Sequence, residues 1–161
     1  MFRFFKKNAK NIEVSAPSDG VLKAITDVSD EMFSKKIMGD GYAVEPSSDS
    51  IYAPISGTIT SVFPTQHAVS FKNDEGIELL LHLGVDTVEL NGEPFNIRVS
   101  EGSLVKAGDP LGVMSRKQIQ EAGKSCELIM VITNMEKVAS LSETKLRTVK
   151  HGESIGKIIM N

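Results

Sequence analysis

From Phe63 to Asp86 the chain reads as two short β-strands around a polar turn, Asn73-Asp74-Glu75-Gly76, whose glycine supplies the positive φ of a four-residue hairpin loop. That loop pairs Lys72 with Ile77 and, by the same count, sets His67 directly opposite His82, with Cβ atoms about 4.5–5.5 Å apart. Leu80 shares the face of His82, whereas Leu79, Leu81 and Leu83 turn the other way. Thr65 joins the His67 face if its strand runs on.

The rest of the pattern is also of short strands and turns, and it is duplicated. Ala16-Pro17-Ser18-Asp19-Gly20 followed by Val21-Leu22-Lys23-Ala24-Ile25 matches Ala53-Pro54-Ile55-Ser56-Gly57 followed by Thr58-Ile59-Thr60-Ser61-Val62. Val105-Lys106-Ala107-Gly108-Asp109 recurs as Val149-Lys150-His151-Gly152-Glu153. Two motifs, each present twice, predict a duplicated β architecture. Asp30–Gly41 makes one or two helical turns, and its Met32, Phe33, Ile37 and Met38 either plug the core or form an exposed rim around a site. Residues 85–101 read as a strand and a turn at Asn91-Gly92. Ser115-Arg116-Lys117-Gln118 opens a short helix that stops at Gly123. Residues 125–133 are a nearly continuous apolar strand, and Ser154–Met160 is the last one.

Composition narrows the class. With 161 residues, 40% of them hydrophobic, and no Pro/Gly-rich linker, one domain over 12–161 is expected, after a flexible basic and aromatic tail, 1–11. The tail's apolar part is too short for a signal peptide; a disordered end is the expectation, with weak contact between residues 2–10 and anionic lipid as the alternative. No apolar run approaches the ~18 residues of a membrane span. A net charge of −3 argues against nucleic-acid binding. The single cysteine, Cys126, excludes an internal disulfide, and its apolar neighbours make it a packed thiol.

The histidine pair carries the chemistry. One ring can act as nucleophile through an unprotonated nitrogen while the other donates to an incoming anion. A buried or metal-bound pair is the competing reading, and pairing geometry does not choose between them. His151 stands in the variable position of the repeated turn and reads as a surface residue. His82-x-x-x-Asp86 also begins the zinc motif of lysostaphin-like metallopeptidases, but the His-x-His pair those enzymes need is missing. Biotin and lipoate carriers share the Val-Lys-x-Gly turn, yet Asn134-Met135-Glu136-Lys137 is only a loose echo of their modified lysine.

His82-Leu83-Gly84-Val85-Asp86-Thr87-Val88, followed by Leu90 and Gly92 and preceded by Thr65-Gln66-His67, resembles the signature of enzyme IIA, glucose class, of the bacterial phosphoenolpyruvate-dependent sugar phosphotransferase system. The likeness covers about residues 12–161. It implies an all-β, duplicated β-sandwich or flattened barrel of the barrel-sandwich hybrid type with short helical segments, and a phosphotransferase acting through a phosphohistidine. By resemblance His82 takes the phosphoryl group on Nε2, the Gly84 carbonyl holds its Nδ1 proton, His67 hydrogen-bonds the phosphoryl oxygens, and Thr65 orients His67. The same likeness places Asp30, Met32, Phe33, Ile37, Met38, Phe63, Leu80, Asp86 and Val88 on the partner-binding face. The donor is the carrier protein HPr and the acceptor a cysteine of a permease IIB domain. The expected state is a cytoplasmic monomer working at the inner face of the cell membrane. No cofactor or metal is required, although His67 and His82 can take up zinc opportunistically when a partner adds a carboxylate.

Overall fold

The computed structural model describes residues 10–161. The expected lipid contact of residues 2–10 therefore falls outside the described residues but for Lys10, and regular structure begins within the expected tail, at Asn11. In chain order the strands are β1 Asn11–Ser15, β2 Gly20–Ala24, β3 Gly41–Pro46, β4 Ser50–Tyr52, β5 Gly57–Val62, β6 Ala68–Lys72 and β7 Glu78–Leu83. They continue with β8 Phe95–Ile97, β9 Leu104–Val105, β10 Pro110–Met114, β11 Leu128–Ile132, β12 Val138–Leu141, β13 Arg147–Val149 and β14 Ser154–Met160. Two short helices, α1 Glu31–Ser34 and α2 Arg116–Glu121, interrupt them.

An eight-stranded antiparallel sheet, ordered β13-β2-β3-β11-β7-β6-β5-β9, is joined by two three-stranded sheets, β1-β14-β12 and β4-β10-β8. The repeats explain this arrangement. β2 and β5, which follow the two Ala-Pro motifs, pair with β13 and β9, which carry the two Val-Lys motifs. The Gly152 amide donates to the Ala16 carbonyl at 3.0 Å, and the Gly108 amide donates to the Ala53 carbonyl at 2.8 Å. The copies also interlock: Ser15 N donates to Pro54 O, and Tyr52 N to Pro17 O, both at 2.8 Å. A pseudo-twofold relation thus closes the β scaffold at its centre.

Apolar alternation decides which faces are covered. Leu79, Leu81 and Leu83 of β7 join Tyr42, Val44, Val69, Phe71, Leu128, Met130 and Ile132 in the main core. Strand β11 is apolar throughout because its other face is covered too: Ile129 and Val131 pack with Ile25, Val28, Phe33, Ala43 and Val85 in a second, smaller core. That smaller core is the floor of the site. Cys126 is buried, and burial first of all pushes its thiol up to about 11, so it is an inert packing group.

Two expectations are corrected. Lys72 pairs with Glu78, and Ala68, not His67, stands opposite His82. The loop takes in Ile77, whose side chain is buried in the main core and whose amide donates to Asn73 Oδ1 at 2.8 Å. Between Asp86 and β8 the chain forms a 3-10 turn, Thr87–Leu90, rather than a strand. Its Thr87 hydroxyl is buried and donates to Leu83 O at 2.6 Å, which favours a tight turn over extension. The helix at Ser115 forms as the capping pattern predicts, with Ser115 Oγ accepting from Gln118 N.

Tyr42 links the large sheet to β14. Its hydroxyl lies 3.1 Å from Ser142 Oγ and 3.3 Å from the Lys157 carbonyl, and its ring fills the space left by Gly156, where a Cβ would come within 2.5 Å of it. Gly156→Ala is therefore expected to destabilise the fold by about 1–3 kcal/mol through overpacking, a loss measurable by chemical denaturation.

Candidate active site

His82 sits near the end of β7, between Ala68 of β6 and Ile129 of β11. Its ring packs against the Phe33 ring (centroids 5.1 Å apart) and against His67 (5.2 Å, edge-on at 73°). The two imidazoles meet although the ladder does not set them opposite one another. His67 lies one residue before β6, at the end of a corner in which Gln66 takes the left-handed conformation with φ 57°. Gln66 Oε1 accepts from Ile97 N at 2.7 Å and so fastens the corner to β8. Thr65 is in that corner too, with Oγ1 2.5 Å from His67 Nδ1, and the Phe63 ring stands edge-on to His67.

The decisive local feature lies just after β7. His82 Nδ1 is 2.7 Å from the Gly84 carbonyl oxygen. A carbonyl can only accept, so Nδ1 carries the proton and, in the neutral ring, Nε2 keeps its lone pair. Only glycine fits at 84: φ is +81°, and a Cβ would lie 2.6 Å from Thr87 Cγ2 and 2.8 Å from Ser125 O. The peptide is held from behind, with Gly84 N donating to Glu127 O at 2.9 Å and Val85 N to Ser125 O at 3.0 Å.

Both rings are kept neutral. Burial lowers the pKa of His67, and the neighbouring His82 lowers it further. For His82 burial again dominates and lowers the pKa, against the Gly84 carbonyl and the Asp30 and Asp86 carboxylates, which favour the imidazolium. Asp30 caps α1 by accepting from Met32 N at 2.7 Å. Asp86 is exposed, makes no capping bond and adopts φ 60°.

The surrounding apolar residues divide. Met32, Ile37 and Val88 are exposed, Met38 and Phe63 are half-buried, and Phe33 and Leu80 are buried. Phe33 is thus a floor residue under His82, drawn inward by the second core. His151 lies at a distance from this site, exposed and stacked on Tyr52 with ring centroids 3.9 Å apart. Among the described residues no three His, Cys, Asp or Glu side chains gather where a metal ion could sit. Lys137 ends a 3-10 turn, Met135–Lys137, instead of tipping a hairpin as a carrier lysine does. Gln66, Thr87, Ser125 and Glu127 hold the site together and were not singled out by sequence. Of these, Gln66 and Thr87 carried a local signal, since both lie within the motifs around the two histidines.

Residues 12–138 match the family described as phosphoenolpyruvate-dependent sugar phosphotransferase system, EIIA 1. This chain belongs to that family. It is 39% identical over 149 residues to a PTS system glucose-specific EIIA component of Staphylococcus aureus, covering 92% of this chain and 90% of that one. It is 39% identical over 146 residues to a PTS system glucose-specific EIICBA component of Streptococcus pneumoniae, of whose length it spans only 20%. The solved glucose permease IIA from Mycoplasma capricolum superposes with a TM-score of 0.87 at 35% identity, over 97% of this chain and 99% of that one. The fold, a duplicated β-sandwich, and the class, an EIIA phosphocarrier component of sugar uptake, are those the resemblance implied.

Because both folded pKa values lie below the ordinary 6.5, the rings stay neutral at pH 7 and protonate only at lower pH. As pH falls from 6.5, the unfolded chain takes up protons first, so these histidines withdraw stability down to their folded midpoints. An NMR titration should place the His82 midpoint below 6.5. Asp86→Asn, which removes an anion favouring the imidazolium, should lower it further.

Proposed function

We propose that His82 Nε2 is the phosphoryl acceptor of this EIIA component, and the observation that carries the reading is the commitment of Nδ1–H to the Gly84 carbonyl. The donor is the phosphohistidine of HPr. Its P–N bond breaks as the bond to His82 Nε2 forms, and Nδ1 keeps its proton, hydrogen-bonded to the Gly84 carbonyl, so the positive charge developing on the ring is stabilised in place. The group then passes to the cysteine thiolate of a permease IIB domain, and the Nε2 lone pair is restored.

His67 serves both steps. With Thr65 Oγ1 donating to its Nδ1, His67 bears its proton on Nε2 and offers it to the phosphoryl oxygens. Such transfers depend on alignment and on donors aimed at the equatorial oxygens rather than on acid–base chemistry. The exposed Met32, Ile37 and Val88, with half-buried Met38 and Phe63, form the docking face, and Asp30 and Asp86 receive basic side chains of HPr. Phe33 and Leu80 support that face from below. The carboxylates make a poor site for free phosphate, so a cationic protein donor suits them better. The named relatives are glucose-specific, and we assign glucose to the acceptor permease, with the chain working at the inner face of the membrane.

Incubation with enzyme I, HPr and phosphoenolpyruvate should add one acid-labile phosphoryl group, read by intact mass. His82→Gln should take none. His67→Gln should still be labelled but pass the group on at least about tenfold more slowly. Labelling of His82→Gln but not of His67→Gln would reverse the assignment.

The rim charges give a second check. At low ionic strength Asp30→Asn and Asp86→Asn should slow transfer from HPr by about two- to tenfold, and added salt should narrow the gap. Unchanged low-salt rates with native circular dichroism would remove these carboxylates from the docking reading.

A further inference from the structure

Glu127 is a buried carboxylate, 3% exposed, on the approach to β11. Lys23 Nζ on β2 lies 2.5 Å from its Oε2. Its Oε1 accepts from the hydroxyls of Ser29 and Ser125, both at 2.8 Å, and from Ser29 N at 3.3 Å. Burial raises the pKa of Glu127, but Lys23 and the two serines outweigh it, and the group stays ionised below the ordinary carboxylate range.

This cluster touches both segments that flank His82. Ser29 precedes Asp30, the cap of α1, and α1 carries Phe33 against the His82 ring. On the other side, the Glu127 carbonyl receives Gly84 N, and the Ser125 carbonyl receives Val85 N. Stability alone gives little reason for such a group, since a buried ion pair is commonly replaced by packed apolar residues without loss. The same segments already supply an apolar cluster in Ile25, Val28 and Val85. What an apolar filling does not supply is a directional hold on two loops at once.

We propose that Glu127 is a positioning residue for His82: its carboxylate, neutralised by Lys23, fixes Ser29 and with it Asp30 and α1 over the imidazole, while its main-chain carbonyl fixes the Gly84 peptide that receives Nδ1–H. The kinetic part of this inference rests on the phosphoryl-acceptor reading; the structural part does not.

The test uses two variants of the full chain. Lys23→Met with Glu127→Leu removes the pair without changing net charge. Ser29→Ala removes one hydroxyl from an exposed loop position and leaves the interior intact, so it carries the test if the double variant does not fold. In each folded variant the amide of Met32 should exchange with solvent about tenfold faster while those of β3 and β14 keep wild-type rates. The ring-proton resonances of His82, shifted by Phe33, should move. The maximal rate of transfer from phospho-HPr should fall about tenfold or more, by a larger factor than the half-saturating concentration rises. Wild-type exchange, resonances and maximal rate in either folded variant would overturn the inference. So would a slower rate with unmoved His82 resonances, because the effect would then not pass through the ring. If the resonances and exchange respond but wild-type protein takes up no phosphoryl group, positioning stands and the acceptor reading falls.

Discussion

The bond from His82 Nδ1–H to the Gly84 carbonyl is the constraint around which the site is arranged. It fixes the tautomer, leaves Nε2 with its lone pair and requires the one backbone conformation that only glycine accommodates at position 84. Thr87 closes the turn behind it, and the Glu127 and Ser125 carbonyls anchor its peptides to the approach of β11. Loss of any of these anchors would free the imidazole to exchange tautomers, and a ring nitrogen that bears the proton has no lone pair with which to attack.

The scaffold makes that bond rigid by burying sheet on both sides. The main core fills the space between the duplicated halves, while the smaller core, roofed by α1 and the Gly84–Asp86 turn, supports the His82 face. Burial lowers the pKa of both histidines, so the same packing that stabilises the sheet keeps both rings uncharged at neutral pH. Carboxylates at the rim oppose this only in part. Their place at the edge suits them to meeting a basic partner rather than to changing the charge of the ring.

Much of this was legible in the chain, for identifiable reasons. The duplicated Ala-Pro-x-x-Gly and Val-Lys-x-Gly motifs announced the architecture because each is a turn whose hydrogen bonds are satisfied by the other. Alternation along Glu78–Leu83 separated core from site face. The hairpin register was missed by one residue, since the pairing was counted from the glycine and not from Asn73, whose side chain folds Ile77 into the loop. The histidines meet regardless, through the left-handed corner at Gln66, which strand periodicity does not reveal. Phe33 and Leu80 read as rim but are buried, and Phe33 is drawn in by the second core, which gathers Ile25, Val28, Ala43, Val85, Ile129 and Val131 from segments far apart in sequence. The same distance hid the Lys23–Glu127–Ser29 cluster, in which Lys23 and Ser29 lie 104 and 98 positions from Glu127.

The most direct measurement is the site of phosphorylation itself. Protein labelled through enzyme I, HPr and phosphoenolpyruvate, with its histidine ring nitrogens assigned by 15N and 31P NMR, should show a single phosphoryl group on Nε2 of His82, with Nδ1 still protonated. A phosphoryl group on Nδ1 of His82, or on His67, would contradict the account at its root.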